Sequence, residues 1–458
     1  MTPCQNASAA WAFFVTDAKE RDNTGMYVLS ATIQHLYHFD EDAWVQIASG
    51  ALAGTFGAGA CGARWRWSNT LTANWGSTTT VTTATTINGL MNWGTIRFLT
   101  WTAGNIGKEV VVTNIMTVPG GTNVITFTPA LPSVVANADT FKVDKGAYYI
   151  MNAGTTAAGI FKSYDPNTWV WTSLGTTNLP ASWGTEWRLV STPSDDVFAT
   201  GTTSSATSTT LVNSAKTWTA NQWTNYQVRI TAGTGIGQVR TISSNTGTTL
   251  TVPAWTVTPD ATSVYNIEGN DDFLYLIGNN AVTMYRYSIS GNTWAVMAPT
   301  TARGAAMVLW GWANWVSKSW DSQWANESDI KDWRYIYSFR WGAAGTLDRF
   351  DIAGGTAWAG AWLNIAYVGI AEVFGAWSSY AVSGRYIYIR KDAVHRYFKF
   401  SVRGHYIEPL TTNLYPDGAA VAWDKLFVKA YNDGTSDVLF WLYSIRNTGT
   451  ELHRLLLF

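Results

Sequence analysis

Charged side chains are scarce in this chain. They make up 13% of its 458 residues, about half of the roughly 25% that an average soluble domain carries. Lys and Arg number 30 and Asp and Glu number 31, so the net charge is −1. Binding of a polyanion needs a basic surface, and this balance therefore argues against nucleic acid as a partner.

Cysteine, histidine and long apolar runs are scarce as well. The two cysteines, Cys4 and Cys61, cannot form a disulfide framework, and whether they pair with each other stays open. The five histidines form no His-x-x-x-His pair, so we expect no metal, no cofactor and no catalytic residues. No apolar run approaches about 18 residues, and residues 1–25 lack the pattern of a secretion signal. We therefore expect no membrane span and synthesis in a cytoplasm.

Short runs of strand-forming residues fill the chain instead. Val, Ile, Tyr, Phe and 27 tryptophans recur in runs that are separated by Thr, Ala and 40 glycines. We find no convincing helical period over more than about three turns. The pattern predicts an almost entirely β fold.

One short motif recurs along the chain. An aromatic or apolar residue precedes Asp or Ser, and a tight polar turn then leads to a second aromatic or apolar residue. Such turns join two antiparallel strands, because Asp or Ser caps backbone amides and the second aromatic opens the returning strand. We predict this structural role, and no catalytic one, for Asp40, Trp44, Asp165, Trp169, Trp294 and Asp351. The six copies lie at 39–44, 164–169, 289–294, 350–358, 400–406 and 443–452.

The second copy resembles a known family hallmark. Tyr164-Asp165-Pro166-Asn167-Thr168-Trp169 is similar to the motif between the third and fourth strands of kelch-type β-propeller blades. The resemblance implies a six-bladed propeller. A seventh blade stays open, because the last copies are degenerate and residues 10–15 could close either the first or the last blade.

The spacing of the copies predicts two insertions. The capping positions 40, 165 and 290 lie 125 residues apart, whereas a blade needs only about 40 to 50 residues. Two Thr-rich segments account for the residues in excess of a blade. They share several short sequence motifs, and we expect them to form related sandwich-like or barrel-like β modules. Each lies between a predicted first and second strand, so both should project from one rim of the propeller and leave the opposite rim nearly bare. The predicted strands are 64–67 and 148–151 around the first segment, and 187–190 and 273–277 around the second.

These boundaries divide the chain into five parts. Residues 1–68 hold the first blade and the start of the second, 69–143 the first module, 144–199 the second blade and the start of the third, 200–269 the second module, and 270–458 the remaining blades.

Tryptophans cluster in and around the polar segment 317–332. Trp312 and its neighbour Trp310 alternate on a predicted strand and are expected to pack in a blade. Exposed indoles in a polar loop can stack on sugar rings or anchor a protein interface. We therefore take Trp315, Trp320, Trp324 and Trp333 as candidate interface or glycan contacts.

The combination of degenerate blades, inserted modules, few charges and many tryptophans resembles structural proteins of tailed-bacteriophage virions. This resemblance implies a non-enzymatic accessory or adhesion protein located in the virion, in many symmetric copies. One rim would dock on capsid, neck or tail components, and the other would be exposed to host surface glycans. Two alternatives stay open: a carbohydrate-binding or glycoside-hydrolase-type propeller, and a cytoplasmic kelch adaptor, which ranks last because no partner domain accompanies the blades.

Overall fold

A computed structural model places a large part of the chain. It describes residues 10–15, 25–30, 33–38, 43–47, 61–65, 71–84, 95–99, 102, 104–118, 122–143, 147–152, 154–155, 160–165, 170–179, 182–183, 188–191, 197–270, 272–277, 283–299, 301, 312–315, 335–339, 346–352, 354, 360–370, 372, 379–383, 386–391, 396–402, 404–410, 425–432, 438–445 and 452–456. Regular structure within these ranges consists of strands alone. In this described part of the chain, no helix is long and apolar enough to cross a membrane. The predicted all-β class is confirmed for the described residues.

Six antiparallel sheets, numbered here in chain order, form the main body of the described chain. Sheet 1 comprises Ala10–Val15, Gly25–Ser30, Ile33–His38 and Ala43–Ile47; sheet 2 comprises Cys61–Arg64, Tyr148–Met151, Phe161–Asp165 and Val170–Ser173; sheet 3 comprises Arg188–Ser191, Phe273–Ile277, Met284–Ser288 and Thr293–Met297. Sheet 4 comprises Trp312–Trp315, Tyr335–Phe339, Thr346–Asp351 and Ala361–Ala366; sheet 5 comprises Ser379–Ser383, Tyr386–Arg390, Tyr397–Ser401, Tyr406–Pro409 and the parallel edge strand Val368–Gly369; sheet 6 comprises Lys425–Asn432, Val438–Ile445 and Leu452–Leu456. Gly154–Thr155 and Ser182–Trp183 form a separate two-stranded sheet.

The first strands of these sheets lie next to one another in chain order. Ala10–Val15 contacts Cys61–Arg64, which in turn contacts Arg188–Ser191. The succession continues through the first strands of sheets 4, 5 and 6. Each sheet therefore extends away from a shared line of first strands, towards a fourth strand in sheets 1 to 5 and a third strand in sheet 6.

Aromatic side chains fill the space between neighbouring sheets. Phe161 of sheet 2 packs on Tyr287 and Trp294 of sheet 3, with ring centroids 4.8 Å and 5.0 Å apart. Tyr275 of sheet 3 meets Phe350 of sheet 4 at 6.3 Å. These rings bury large apolar areas, so the sheets stabilise each other through their faces.

Residues 71–143, called module 1 from here on, form a sheet of their own. Its seven strands run in the spatial order Leu71–Thr72, Thr140–Val143, Thr95–Phe98, Glu109–Val118, Thr122–Thr128, Thr80–Thr83 and Trp75–Gly76. Module 1 is inserted between the first and second strands of sheet 2. These two strands pair with each other, and Arg64 lies opposite Tyr148.

Residues 197–268, called module 2, show the same succession of strands split over two sheets. The first has the order Val197–Thr202, Val264–Glu268, Gln227–Ala232 and Val239–Thr241; the second has the order Ser244–Asn245, Thr249–Thr251, Thr210–Val212 and Ser205–Thr207. The two short strands Val239–Thr241 and Ser244–Asn245 take the place of the long strand Glu109–Val118. Module 2 lies between the first and second strands of sheet 3.

The turns of the two modules agree in detail. Gly107 and Gly237 both have a positive φ, at 73° and 85°, a conformation that glycine adopts without steric cost. The amide of Gly107 donates to the carbonyl of Phe98, and the amide of Gly237 donates to that of Ile230, both over 2.8 Å. Shared strand order and shared turn bonds support the relation between the modules that the sequence landmarks suggest.

Asp139 of module 1 and Ser263 of module 2 occupy equivalent positions. The amide of Ala136 donates to the Asp139 carboxylate over 2.8 Å, and the amide of Asp260 donates to the Ser263 hydroxyl over 3.0 Å. The Asp139 carboxylate also accepts bonds from the amide and the hydroxyl of Thr102, both over 2.8 Å.

We predict that Asp139→Ala destabilises module 1 by about 3 kcal/mol, because it removes a buried carboxylate that accepts hydrogen bonds from two backbone amides and one hydroxyl. Asp139→Ser should cost less, since serine makes the equivalent turn bond in module 2. Hydrogen exchange of the amides of Thr102 and Ala136 measures both effects. Equal exchange rates in the two variants would contradict the proposed equivalence.

One strand differs from the sequence prediction. The first strand of sheet 2 is Cys61–Arg64 rather than 64–67, because the hydrogen-bonded partners of Tyr148–Met151 end at Arg64. The connections from each fourth strand to the next first strand are 12 to 15 residues long, and they comprise residues 48–60, 174–187, 298–311, 367–378 and 410–424.

Candidate interaction surface

Several residues that the sequence analysis singled out lie outside the described residues: Asp40, Trp169, Trp320, Trp324 and Trp333. Trp315 ends the first strand of sheet 4, and Trp44 lies on the fourth strand of sheet 1 opposite Tyr37. Asp165 ends the third strand of sheet 2 opposite Val170. Trp294 lies on the fourth strand of sheet 3, and Asp351 ends the third strand of sheet 4.

The turn between the third and fourth strands of sheet 3 shows how the repeated motif works. The Asp272 carboxylate accepts bonds from the amide of Ser290 over 2.8 Å and from the hydroxyl of Ser288 over 2.7 Å. The Ser288 hydroxyl in turn accepts a bond from the amide of Gly291 over 3.0 Å. The turn is thus capped by Ser288, the last residue of the third strand, and by Asp272, which directly precedes the second strand, rather than by Ser290.

The last residue of the third strand also accepts a hydrogen bond from a turn amide in two other sheets. The amide of Gly404 donates to the Ser401 hydroxyl over 3.3 Å in sheet 5. In sheet 4, the amide of Gly354 donates to the backbone carbonyl of Asp351 over 3.2 Å. These residues all end a third strand, so the structure places each of them at the start of the turn to the fourth strand.

Trp294 connects this turn to the neighbouring sheet. Its ring lies 5.0 Å from that of Tyr287, and its Nε1 donates to the carbonyl of Gly175 over 3.1 Å. Its own carbonyl accepts a bond from the Asn178 amide group over 2.9 Å. Gly175 and Asn178 belong to the connection between sheets 2 and 3, so the tryptophan fixes that connection against the sheet.

The counterpart of Trp294 in sheet 2 is Trp171. It pairs with Tyr164 across the strands, and the two rings lie 4.9 Å apart. Sequence spacing alone selected Trp169, because strand register, which decides the pairing, is not visible in the motif.

Sequence reasoning missed a repeated pair of a cation and an aromatic ring. Arg286 lies over the Phe273 ring at 4.2 Å, and Arg349 lies over the Tyr335 ring at 4.4 Å. Lys399 takes the same place over Tyr386 at 4.9 Å. Such contacts contribute about 0.5 to 2 kcal/mol each. The signal was a Lys or Arg directly before the last aromatic in the third strands of sheets 3, 4 and 5, as in Tyr285-Arg286-Tyr287.

Two buried tyrosines stand beside these cations. Burial raises the pKa of Tyr275 to about 12, against a smaller opposing effect of Arg286. Burial likewise raises the pKa of Tyr337 to about 12, again opposed by the neighbouring arginine, Arg349. Both hydroxyls therefore stay neutral at physiological pH, and neither is poised to act as a base.

A charged cluster joins the two modules. Arg97 of module 1 contacts Glu268 of module 2 at 3.4 Å, and Arg229 contacts the same carboxylate at 3.0 Å. The Glu268 side chain is only 5% exposed. Burial by itself raises the pKa of Glu268, but the guanidinium groups of Arg229 and Arg97 outweigh it and hold the pKa below its ordinary value. Ionised Glu268 therefore holds the two modules together.

Lys142 extends this contact to sheet 2. Its Nζ lies 4.9 Å from the centre of the Trp65 ring, and the amide of Trp65 donates to the carbonyl of Ala147 over 2.9 Å. Module 1 is thus held on one side by sheet 2 and on the other by module 2. Within the described residues, no group of three or more His, Cys, Asp or Glu side chains is placed to hold a metal ion.

Comparisons with known proteins give distant structural similarity. No protein-family model matches the chain, and no characterised protein matches it in sequence. Hydrazine synthase of Kuenenia stuttgartiensis is similar over 98% of this chain and 96% of its own, with 8% identity and a TM-score of 0.37. AztD of Citrobacter koseri is similar over 96% and 93%, with 9% identity and a TM-score of 0.29. An auxiliary nutrient binding protein of Bacteroides thetaiotaomicron is similar over 83% and 94%, with 9% identity and a TM-score of 0.26. TM-scores this low do not establish a shared fold.

Proposed function

We propose that the chain is a non-enzymatic structural and adhesion protein of a bacteriophage virion, built on a six-bladed β-propeller with two inserted modules. The neighbouring first strands of the six sheets support the propeller, because antiparallel sheets that radiate from a central line of first strands are the blades of that fold. The virion is the setting that the sequence resemblance suggests.

One observation carries the functional part of the proposal. Modules 1 and 2 both replace the connection between a first and a second strand. In an antiparallel meander these connections all lie at the same end of the strands. Both modules then stand on one rim, called the module rim, and the long connections between sheets lie on the other, called the connection rim. A ring with two different rims suits a protein that makes two different contacts.

We assign docking on the virion to the connection rim. The five connections between sheets are 12 to 15 residues long, and connecting segments often carry binding functions. A chain with 13% charged residues can bury such a surface with little desolvation of charge. Many copies in a symmetric particle add up their weak contacts, and the modules then face outwards.

Cysteine labelling on intact particles tests this orientation. Ser205 is exposed on module 2, and Arg396, with a 56% exposed side chain, lies in the connection between the second and third strands of sheet 5, on the connection rim. Both are replaced singly by cysteine in a chain whose Cys4 and Cys61 are alanine. We expect a maleimide reagent to label both variants of the isolated protein. On particles, labelling at position 396 should fall about tenfold or more, while labelling at position 205 persists.

The opposite labelling pattern would place the modules against the particle and contradict the assignment. Mass spectrometry of the same purified particles checks that the chain is present at all. Its absence from them would contradict the proposed virion role itself.

A further inference from the structure

The sheet of module 1 has one face that is covered over only part of its width. Arg97 and Lys142 lie on the covered part, where they meet Glu268 of module 2 and Trp65 of sheet 2. The same face continues across the strands Thr122–Thr128, Thr80–Thr83 and Trp75–Gly76. That second part, with the adjoining end of Glu109–Val118, is called the open part; Trp75, Asn114 and Met116 are exposed there, whereas Thr82 is fully buried.

A row of four directly paired residues crosses the open part. Trp75 pairs with Thr82, Thr82 with Val124, and Val124 with Met116, and residues paired in this way point to the same side of a sheet. The two ends of the row are the most exposed, with 61% of Trp75 and 53% of Met116 accessible. Thr82 is fully buried and Val124 is half-buried, so the row presents to solvent mainly the indole of Trp75 and the thioether of Met116.

Trp75 is held in place by its neighbours. Its amide donates to the Thr82 hydroxyl over 3.2 Å, and that hydroxyl donates to the carbonyl of Trp75 over 2.7 Å. The next residue, Gly76, approaches the backbone carbonyl of Thr80 so closely that no side chain fits there. Because the backbone is already fixed, a ligand that stacks on the ring has to order only the two side-chain torsions of the tryptophan.

We infer that this row is a binding site for a neutral oligosaccharide. Its described neighbours on the same face, Asn114 and Thr126, offer an amide and a hydroxyl, which can donate and accept bonds as sugar hydroxyls do. No residue of the open part that the structure describes is charged, so the site has nothing to neutralise an acidic ligand. The flat apolar face of the indole suits the C–H face of a sugar ring.

The size of the open part favours a small ligand over a protein. Three strand spacings make the row about 14 Å long, and five residues along a strand add about 17 Å, which gives roughly 240 Å². A stable protein partner needs about 800 Å² on each side. The corresponding row of module 2 is Ser205, Val212 and Thr249, and it has no aromatic ring. The inference therefore concerns module 1 alone, and it rests on the proposed function only in that the module rim faces outwards.

An array of immobilised neutral and acidic oligosaccharides, probed with the isolated full-length protein, tests the inference. We expect binding to at least one neutral oligosaccharide, with an affinity that falls about tenfold or more in Trp75→Ala. Met116→Ala, a second exposed position of the row, should weaken binding as well. Val257→Ala, at a half-exposed apolar residue of module 2, is the matched control and should bind as the parent chain does.

Three results would overturn the inference: no binding to any neutral oligosaccharide, equal binding by Trp75→Ala, or self-association in sedimentation velocity that Trp75→Ala abolishes. The last would assign the row to a second copy of the chain. A protein that binds sugar through Trp75 but is missing from virions would contradict the proposed function and leave this site standing.

Discussion

Replacing Trp294 by alanine is expected to cost about 4 kcal/mol of local stability between sheets 2 and 3, as other buried tryptophans do. Only 1% of this side chain is exposed, and its ring packs on Phe161 and Tyr287 at 5.0 Å each. The variant also leaves the carbonyl of Gly175 without the indole donor. A cavity and a lost buried hydrogen bond act together at this position.

Hydrogen exchange followed by mass spectrometry measures this effect better than global unfolding, because a chain of this size need not unfold in two states. Peptides that cover 161–165 and 174–179 should exchange about a thousandfold faster, as about 4 kcal/mol implies. Trp75→Ala removes the same side chain from an exposed site and should change exchange of these peptides by less than about threefold. Similar effects of the two substitutions would contradict the role assigned to Trp294.

Replacing Glu268 by alanine is expected to separate the two modules. The substitution leaves the guanidinium groups of Arg97 and Arg229 buried without their shared carboxylate. Removing one partner of a buried ion pair costs about 3 to 5 kcal/mol. Faster hydrogen exchange in both modules, with sheets 4 and 5 unchanged, would show that the effect is confined to this contact.

A partly exposed ion pair supplies the control. Glu408 contacts Lys399 at 2.6 Å on the third and fourth strands of sheet 5, with 38% of its side chain exposed. Glu408→Ala removes the same kind of side chain and should cost less than about 1 kcal/mol. If Glu268→Ala were equally mild, the two modules would not depend on the charged cluster.

The same cluster predicts acid sensitivity. The folded pKa of Glu268 lies below its ordinary value of 4.5, so its contribution to stability is complete above that value. The contribution is lost as the pH falls through the lower, folded pKa. Protection of the modules in the parent chain should therefore decline below pH 4.5, and Glu268→Ala should remove this part of the pH dependence.

The bounds of the strands were easier to predict from the sequence than the pairing of residues between strands. Tyr148–Met151 and Phe273–Ile277 have the bounds that their apolar patterns predict, because a run of buried residues between turn signals is a local property. The pairing of Tyr164 with Trp171 rather than with Trp169 depends on register, which a single residue of slip changes. The turn at Ser290 is capped by Asp272, which directly precedes the second strand, and a motif search along one segment does not reach that far.

The contact between the modules could not be predicted from the sequence either, because it joins residues that are far apart along the chain. Arg97 and Glu268 are 171 residues apart, and nothing near either residue marks it as half of a pair. The exposed row from Trp75 to Met116 likewise appears only when three strand pairings are followed in turn. The cations over aromatic rings were visible as a repeated Lys or Arg, but their partners lie on the preceding strand.

A cryo-electron microscopy map of purified particles that contain the chain tests the central claim most directly. We predict six sheets arranged around one axis, both modules on the rim that faces solvent, and the connection rim seated on another virion protein. Modules on opposite sides of the ring, or a module rim buried against the particle, would contradict it.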